Sequence, residues 1–173
     1  MTHGGGSRSV LKMLPTLAML LAAAVAVAAA PASSLQEMRL TPAEVREEAF
    51  GAATPGTSGL TGVRTKVLLG DPGKAGLYAI LLFVPAHTTI QAHSHKDDRM
   101  ATVVTGTWSF GYGEHFADAA LKRLPPGSVY AEPGGRHHFA QTGDDPVVVQ
   151  ITGFGPTDTT YFNPADDPKK QTH

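Results

Sequence analysis

The stretch Gln91-Ala92-His93-Ser94-His95-Lys96-Asp97-Asp98-Arg99, followed by a glycine at position 106, decides the reading of this chain. Side chains alternate across a strand, so Gln91, His93 and His95 are expected on one face. Two neutral imidazoles two residues apart on a strand converge readily on one metal ion, each giving a ring nitrogen. The plain alternative is a pair of solvent-facing histidines on an exposed strand, and a His-x-His pair by itself does not choose between them.

Working outward from that stretch, the chain from Val63 onward is a series of short runs rich in β-branched and aromatic residues, broken by Gly and Pro. That spacing is the pattern of an all-β sandwich or barrel, with strands expected near 63–69, 77–84, 88–95, 99–105, 107–112, 128–131, 137–142, 147–153 and 159–162. Phe116, Ala119, Ala120 and Leu121 fall at helix-like spacing, so a helix is expected over about Glu114 to Leu121, before the turn Pro125-Pro126-Gly127. Upstream, Thr41-Pro42-Ala43-Glu44 combines a side-chain cap, a proline at the first helical position and a glutamate three beyond the cap, which predicts a short helix to about Phe50. Gly51 to Gly62 reads as a loop with no functional content, and the end of the chain, 169–173, as a polar tail.

The N-terminus has the layout of a secretory signal: Arg8 and Lys12 precede an apolar run from Leu17 to Ala30 that ends in small residues. Cleavage after Ala32 is expected, giving a segment 1–32 that is removed, an N-terminal helix and loop over 33–62, and a barrel over 63–168. The apolar run is short and mostly alanine, marginal for a bilayer core of about 30 Å, so no stable membrane anchor is expected after cleavage. Roughly 140 residues then remain, enough for one domain and too few for two. The whole chain carries a net charge of −1, and the removed part holds two basic residues and no acidic one, so the mature protein is mildly acidic and has no electrostatic case for nucleic acid. With no cysteine present, disulfides and thiolate metal sites are excluded, and any metal must be held by nitrogen and oxygen.

A second stretch, Gly127-Ser128-Val129-Tyr130-Ala131-Glu132-Pro133-Gly134-Gly135-Arg136-His137-His138, completes a pattern. Together the two segments resemble the paired motifs of the cupins, with His93, His95, Gly106, Gly127, Pro133, Gly135 and His138 at the family's spacings. The sequence is also similar to small bacterial cupins in its tail, Asn163-Pro164-Ala165-Asp166-Asp167-Pro168. The resemblance implies an all-β, double-stranded β-helix (jelly-roll) barrel with a pocket inside, and it implies His93, His95 and His138 as metal ligands. His137 is expected to point the opposite way on its strand, and His87, His115 and His173 to lie at the surface.

Two positions depart from the family pattern: its carboxylate falls at Arg99 and its final Asn at Thr142. A guanidinium stays charged and cannot ligate a metal. At about 5 Å from a divalent ion and an effective dielectric of about 20, the repulsion would be on the order of 6 to 7 kcal/mol before relaxation. Three arrangements escape it. Arg99 turns away to pair with Asp97, Asp98 or another carboxylate, which is the working expectation; or it holds an anionic substrate that also binds the ion; or no ion binds and the barrel takes a polar ligand directly. Gln91 and Asp98 are candidates for a fourth ligand or its support.

Three imidazoles with open positions suit iron, manganese, zinc or nickel as divalent ions. Cupins lacking the glutamate include oxygenases, so the resemblance implies a metal-dependent oxygenase for a small anionic or chelating substrate, ahead of a sugar isomerase. The competing reading is a non-catalytic small-ligand-binding or sensing module, with or without metal. Arg99 and Tyr130 are the candidate catalytic residues, the latter as proton donor, and Gln91 and Trp108 would line the bound group. Trp108, Phe110 and Tyr112 alternate on one face as an apolar wall, although packing is the commoner fate of such aromatics. A homodimer in the periplasm or outside the cell completes the expectation, because exposed sheet edges of such barrels are usually paired.

Overall fold

Strand-forming runs separated by glycine and proline turns fold into two antiparallel sheets in the computed structural model, which describes residues 1–5, 37–47 and 50–171. The chain divides into two units, 1–32 and 33–173, and both sheets belong to the second. The expected signal stretch beyond residue 5 and His173 lie outside the described residues.

The elements are α1 (Pro42–Glu47), β1 (Arg64–Leu69), β2 (Gly76–Val84), β3 (Thr89–Ser94), β4 (Arg99–Thr105), β5 (Trp108–Tyr112), β6 (Lys122–Leu124), β7 (Val129–Glu132), β8 (His138–Thr142), β9 (Val147–Gly155) and β10 (Thr160–Tyr161). One sheet has the order β1-β2-β9-β4-β7 and the other β10-β3-β8-β5-β6. Along most of the chain, the strands pass back and forth between the sheets, which is the double-sheet jelly roll, and the expected all-β barrel is the observed one. Every strand expected from the sequence ends within two residues of an observed one.

The core lies between the inner faces, where Tyr78, Ile80 and Val84 of β2 meet Ala101 and Val103 of β4 and Val147, Val149 and Ile151 of β9, all nearly inaccessible. The period of two is visible in β9, whose odd-numbered residues point in while Gln150, Thr152 and Phe154 point out. The short helix forms as a capping box: the Thr41 amide donates to Glu44 Oε2 at 2.7 Å, and the Glu44 amide donates to Thr41 Oγ1 at 3.3 Å. Its Val45 packs with Leu81 and Val148 on the outer face of the first sheet. Two motif glycines take positive φ angles. Gly106 has φ 74°, and a Cβ there would lie 2.4 Å from the Pro146 carbonyl oxygen. Gly135 donates its amide to the His95 carbonyl at 2.7 Å, which ties the two motif segments together.

Two expectations need correction. The helix over Glu114 to Leu121 is only a 3-10 turn over Asp118–Ala120, and β6 follows it directly. The reason is tertiary: Phe116 packs on Phe139 at 5.2 Å between ring centres, and Lys122, Arg123 and Leu124 pair with β5. An open sheet edge outcompetes a helix whose only apolar anchor is already satisfied. Gly51 to Gly62 is no inert loop either. Thr57 and Ser58 are buried, with their carbonyls accepting from Thr159 Oγ1 at 2.9 Å and Tyr161 Oη at 2.6 Å. The segment is a strap laid over one end of the barrel interior. Among the described residues no helix is long and apolar enough to cross a membrane.

Candidate metal centre

His93 lies on β3, His95 just beyond its end, and His138 opens β8 directly opposite His93 in the register. All three are buried, and one ring nitrogen from each falls within 4.8 Å of the others. The other ring nitrogen is held by the backbone in every case: His93 Nδ1 meets the Gln91 carbonyl at 2.8 Å, His95 Nδ1 the Asp158 carbonyl at 2.5 Å, and His138 Nδ1 the Arg136 carbonyl at 3.1 Å. A carbonyl accepts only, so Nδ1 carries the proton and Nε2 presents its lone pair inward. The Nε2 atoms of His95 and His138 are buried without any hydrogen-bond partner.

Electrostatics keep these rings neutral. Burial, reinforced by His138, pushes His93 down to about 3. Burial likewise brings His138 to about 3, and burial followed by the Arg99 charge depresses His95 further. Three neutral imidazoles with inward lone pairs form a donor set that fits a divalent first-row ion, and two orphaned buried acceptors need such a partner. The described residues can therefore hold a metal on His93, His95 and His138.

The facing sheet contributes the rest. Arg99, 4% exposed, points inward and pairs with Glu132, its direct register partner on β7. Arg99 Nε donates to Glu132 Oε2 at 2.6 Å, Nη2 also contacts Oε2, and Nη1 donates to the Gly56 carbonyl of the strap at 2.6 Å. Burial alone would depress the guanidinium, but the Glu132 carboxylate, joined by Tyr78 and Asp97, offsets this and holds it above its ordinary value. The Arg99 charge is thus neutralised inside the barrel, and its donors are engaged by protein atoms. Beneath it, Tyr78 Oη donates to Asp97 Oδ2 at 2.8 Å. Burial pushes the phenol up to about 12. Gly153 makes room for this pair, since a Cβ there would lie 2.5 Å from the Tyr78 hydroxyl.

Other expected site residues divide between inside and outside. Tyr130, Trp108 and Phe110 line the cavity between the sheets. Phe110 stacks on His138 at 5.3 Å and packs against Tyr130 at 4.3 Å between ring centres, and burial drives the Tyr130 hydroxyl far above its ordinary value. Tyr112 departs from the expected wall: it is exposed, and its hydroxyl donates to the Ala131 carbonyl at 2.6 Å. Gln91 also departs. A bulge between Ile90 and His93 shifts the register of β3, and this breaks the parity that would have placed Gln91 beside the histidines. Gln91 lines a separate groove with Glu114, His115 and Phe162. Asp98 is exposed, with Oδ1 accepting from the Gly134 amide at 2.7 Å, so it neither pairs with Arg99 nor faces the cavity. His137 contacts Phe162 outside the cavity, and His87 and His115 are not buried. Thr142 fixes backbone: its Oγ1 donates to the Pro85 carbonyl at 2.7 Å and accepts from the Thr88 amide at 2.8 Å.

The residue that sequence reasoning missed is Glu132. Its signal was present, because Glu132 and Tyr130 share one face of the same strand. Glu132 Oε1 lies 3.8 Å from His138 Nε2, and Oε2 lies 3.8 Å from His95 Nε2.

The cavity lined by His93, His138, Arg99, Glu132 and Tyr130 has a volume of about 20 Å³. That is room for one water or one ion. A wider groove lined by Thr107, Arg123 and Asp144 contains none of the histidines.

Strand order and antiparallel register define a double-sheet jelly-roll barrel, the fold that the paired motifs implied. Solved structures with a similar course include a sugar phosphate isomerase of the cupin superfamily from Silicibacter pomeroyi, at TM-score 0.48 and 20% identity over 65% of this chain and 74% of that one. A DMSP lyase from Ruegeria pomeroyi matches at TM-score 0.48 and 20% identity, over 70% of this chain and 75% of that one. An RmlC-like cupin from Shewanella frigidimarina matches at TM-score 0.44 and 18% identity, over 54% and 76%. No protein-family profile and no curated protein matches the chain.

Proposed function

We propose that this is an exported divalent-metal protein whose ion sits on His93, His95 and His138, and that it acts as a metal-dependent oxygenase on a small anionic or chelating substrate. The observation that carries the metal reading is the set of three imidazoles, each pinned through Nδ1 to a backbone carbonyl, with the Nε2 atoms of His95 and His138 buried and unpartnered. When bound, the ion supplies Lewis acidity and, if iron or manganese, redox chemistry with oxygen. The chain itself orients the imidazoles, excludes water with Phe110 and Trp108, and holds a protonated phenol at Tyr130. An anionic substrate is supported by charge: Arg99 and Glu132 cancel each other, so a divalent ion keeps its full charge toward a ligand. The basic start and apolar run before Ala32 support export, and the exposed apolar residues Leu77, Met100 and Phe154 on the outer face of the first sheet support a homodimer.

The small volume beside the histidines favours a second reading, a metal-binding or sensing module without turnover. The decisive measurement is metal content of the tag-free mature protein together with oxygen uptake on adding small chelating acids. Stoichiometric metal with ligand-dependent uptake fits the oxygenase, and metal without uptake fits the sensor. Retention of metal by both His93→Ala and His138→Ala would remove the site altogether.

A further inference from the structure

We propose that Glu132 is a fourth, carboxylate ligand of the three-histidine site, carried on β7 instead of β4, and that Arg99 is its positioning residue. The inference rests on the metal reading above and deepens it. Arg99 and Glu132 are direct register partners on adjacent strands, both on the inner face. The position that the cupin pattern gives to a carboxylate has therefore exchanged its role with the residue across the ladder.

The geometry argues against Glu132 being only a counter-ion for Arg99. Both Arg99 contacts go to Oε2, while Oε1 faces His138 Nε2 at 3.8 Å. On the other side Oε2 stands 3.8 Å from His95 Nε2. Because the Nδ1 atoms spend their protons on backbone carbonyls, the Nε2 atoms meet the carboxylate as acceptor against acceptor. Facing lone pairs in a dry interior repel unless something positive lies between them. A cation answers the need of the carboxylate and of both orphaned imidazoles at once. Arg99, anchored by the Gly56 carbonyl, then fixes the carboxylate orientation as an outer partner does in metal sites.

The test uses tag-free, metal-stripped full-length protein and its variants Glu132→Gln, Arg99→Met/Glu132→Leu and His93→Ala. Zn(II) affinity is measured by chelator competition and the Co(II) site by its visible absorption. The expected result for Glu132→Gln is Zn(II) binding weakened by at least about 100-fold, beyond the usual range for outer partners, and an altered Co(II) spectrum. The double variant removes both charges and keeps the core apolar, so it decides the matter if Glu132→Gln does not fold; it too should lose affinity and change spectrum. Wild-type affinity and spectrum in the folded double variant, with metal lost in His93→Ala, would overturn the carboxylate proposal and leave the three-histidine site standing. Wild-type binding in His93→Ala would overturn both.

Discussion

The two sheets meet across the cavity with different chemistry. One presents neutral imidazoles, each locked by a carbonyl from its own neighbourhood or an adjoining loop. The other presents an ion pair, Arg99 with Glu132, tied to the strap at Gly56. The imidazole side holds no charge until something binds, whereas the ion-pair side is charged from the moment the strands pair. Loss of an imidazole should therefore be felt mainly as lost binding, and loss of Glu132 as lost folding together with lost binding.

Acidification should show the largest effect. The folded-state values of His93 and His138 lie near 3, below an unfolded value near 6.5, and His95 is lowered as well. The unfolded chain binds more protons across that window, so stability of the metal-free protein is full above pH 6.5 and falls as pH drops toward 3. Each buried histidine contributes up to about 1.4 kcal/mol per pH unit. Urea unfolding at a series of pH values checks this; a flat profile from pH 7 to 4 would contradict the burial of the rings.

Glu132→Ala comes next, because it strands the Arg99 guanidinium in the interior, and a loss of about 3–5 kcal/mol is expected. His93→Ala, on the opposite sheet, removes a neutral ring and should cost no more than about 2 kcal/mol in metal-free protein. Equal losses from chemical denaturation would erase the contrast between the sheets.

Tyr78→Phe extends the test to the polar layer under Arg99. It leaves buried Asp97 without its donor and should cost about 1–3 kcal/mol, with Zn(II) affinity unchanged. The smallest effect belongs to Thr41→Ala, which removes the cap of α1 far from both inner faces. A loss of about 1 kcal/mol is expected, with no change in metal binding.

Strand parity put His93 and His95 on one face, a local fact of the chain, and the resemblance to the paired cupin motifs implied His138 beside them. The sequence placed the strands by local patterning too, and it read the Thr41 capping box correctly. It misplaced Gln91, since a bulge leaves no mark in a single sequence, and it assigned 114–121 to a helix, since an edge strand waiting for a partner is invisible from within that segment. Arg99 was legible only as an anomaly, a cation where a carboxylate was expected.

What resolves the anomaly is register. The sequence by itself determined that His93 and His95 share one strand face, because that depends on spacing along one strand. Only the tertiary structure decided that Glu132 stands opposite Arg99 and that Gly56 reaches over the cavity. Those contacts join segments distant in the chain, the first through strand pairing and the second through an Arg99 hydrogen bond to a loop, and neither is written as a pattern within one strand.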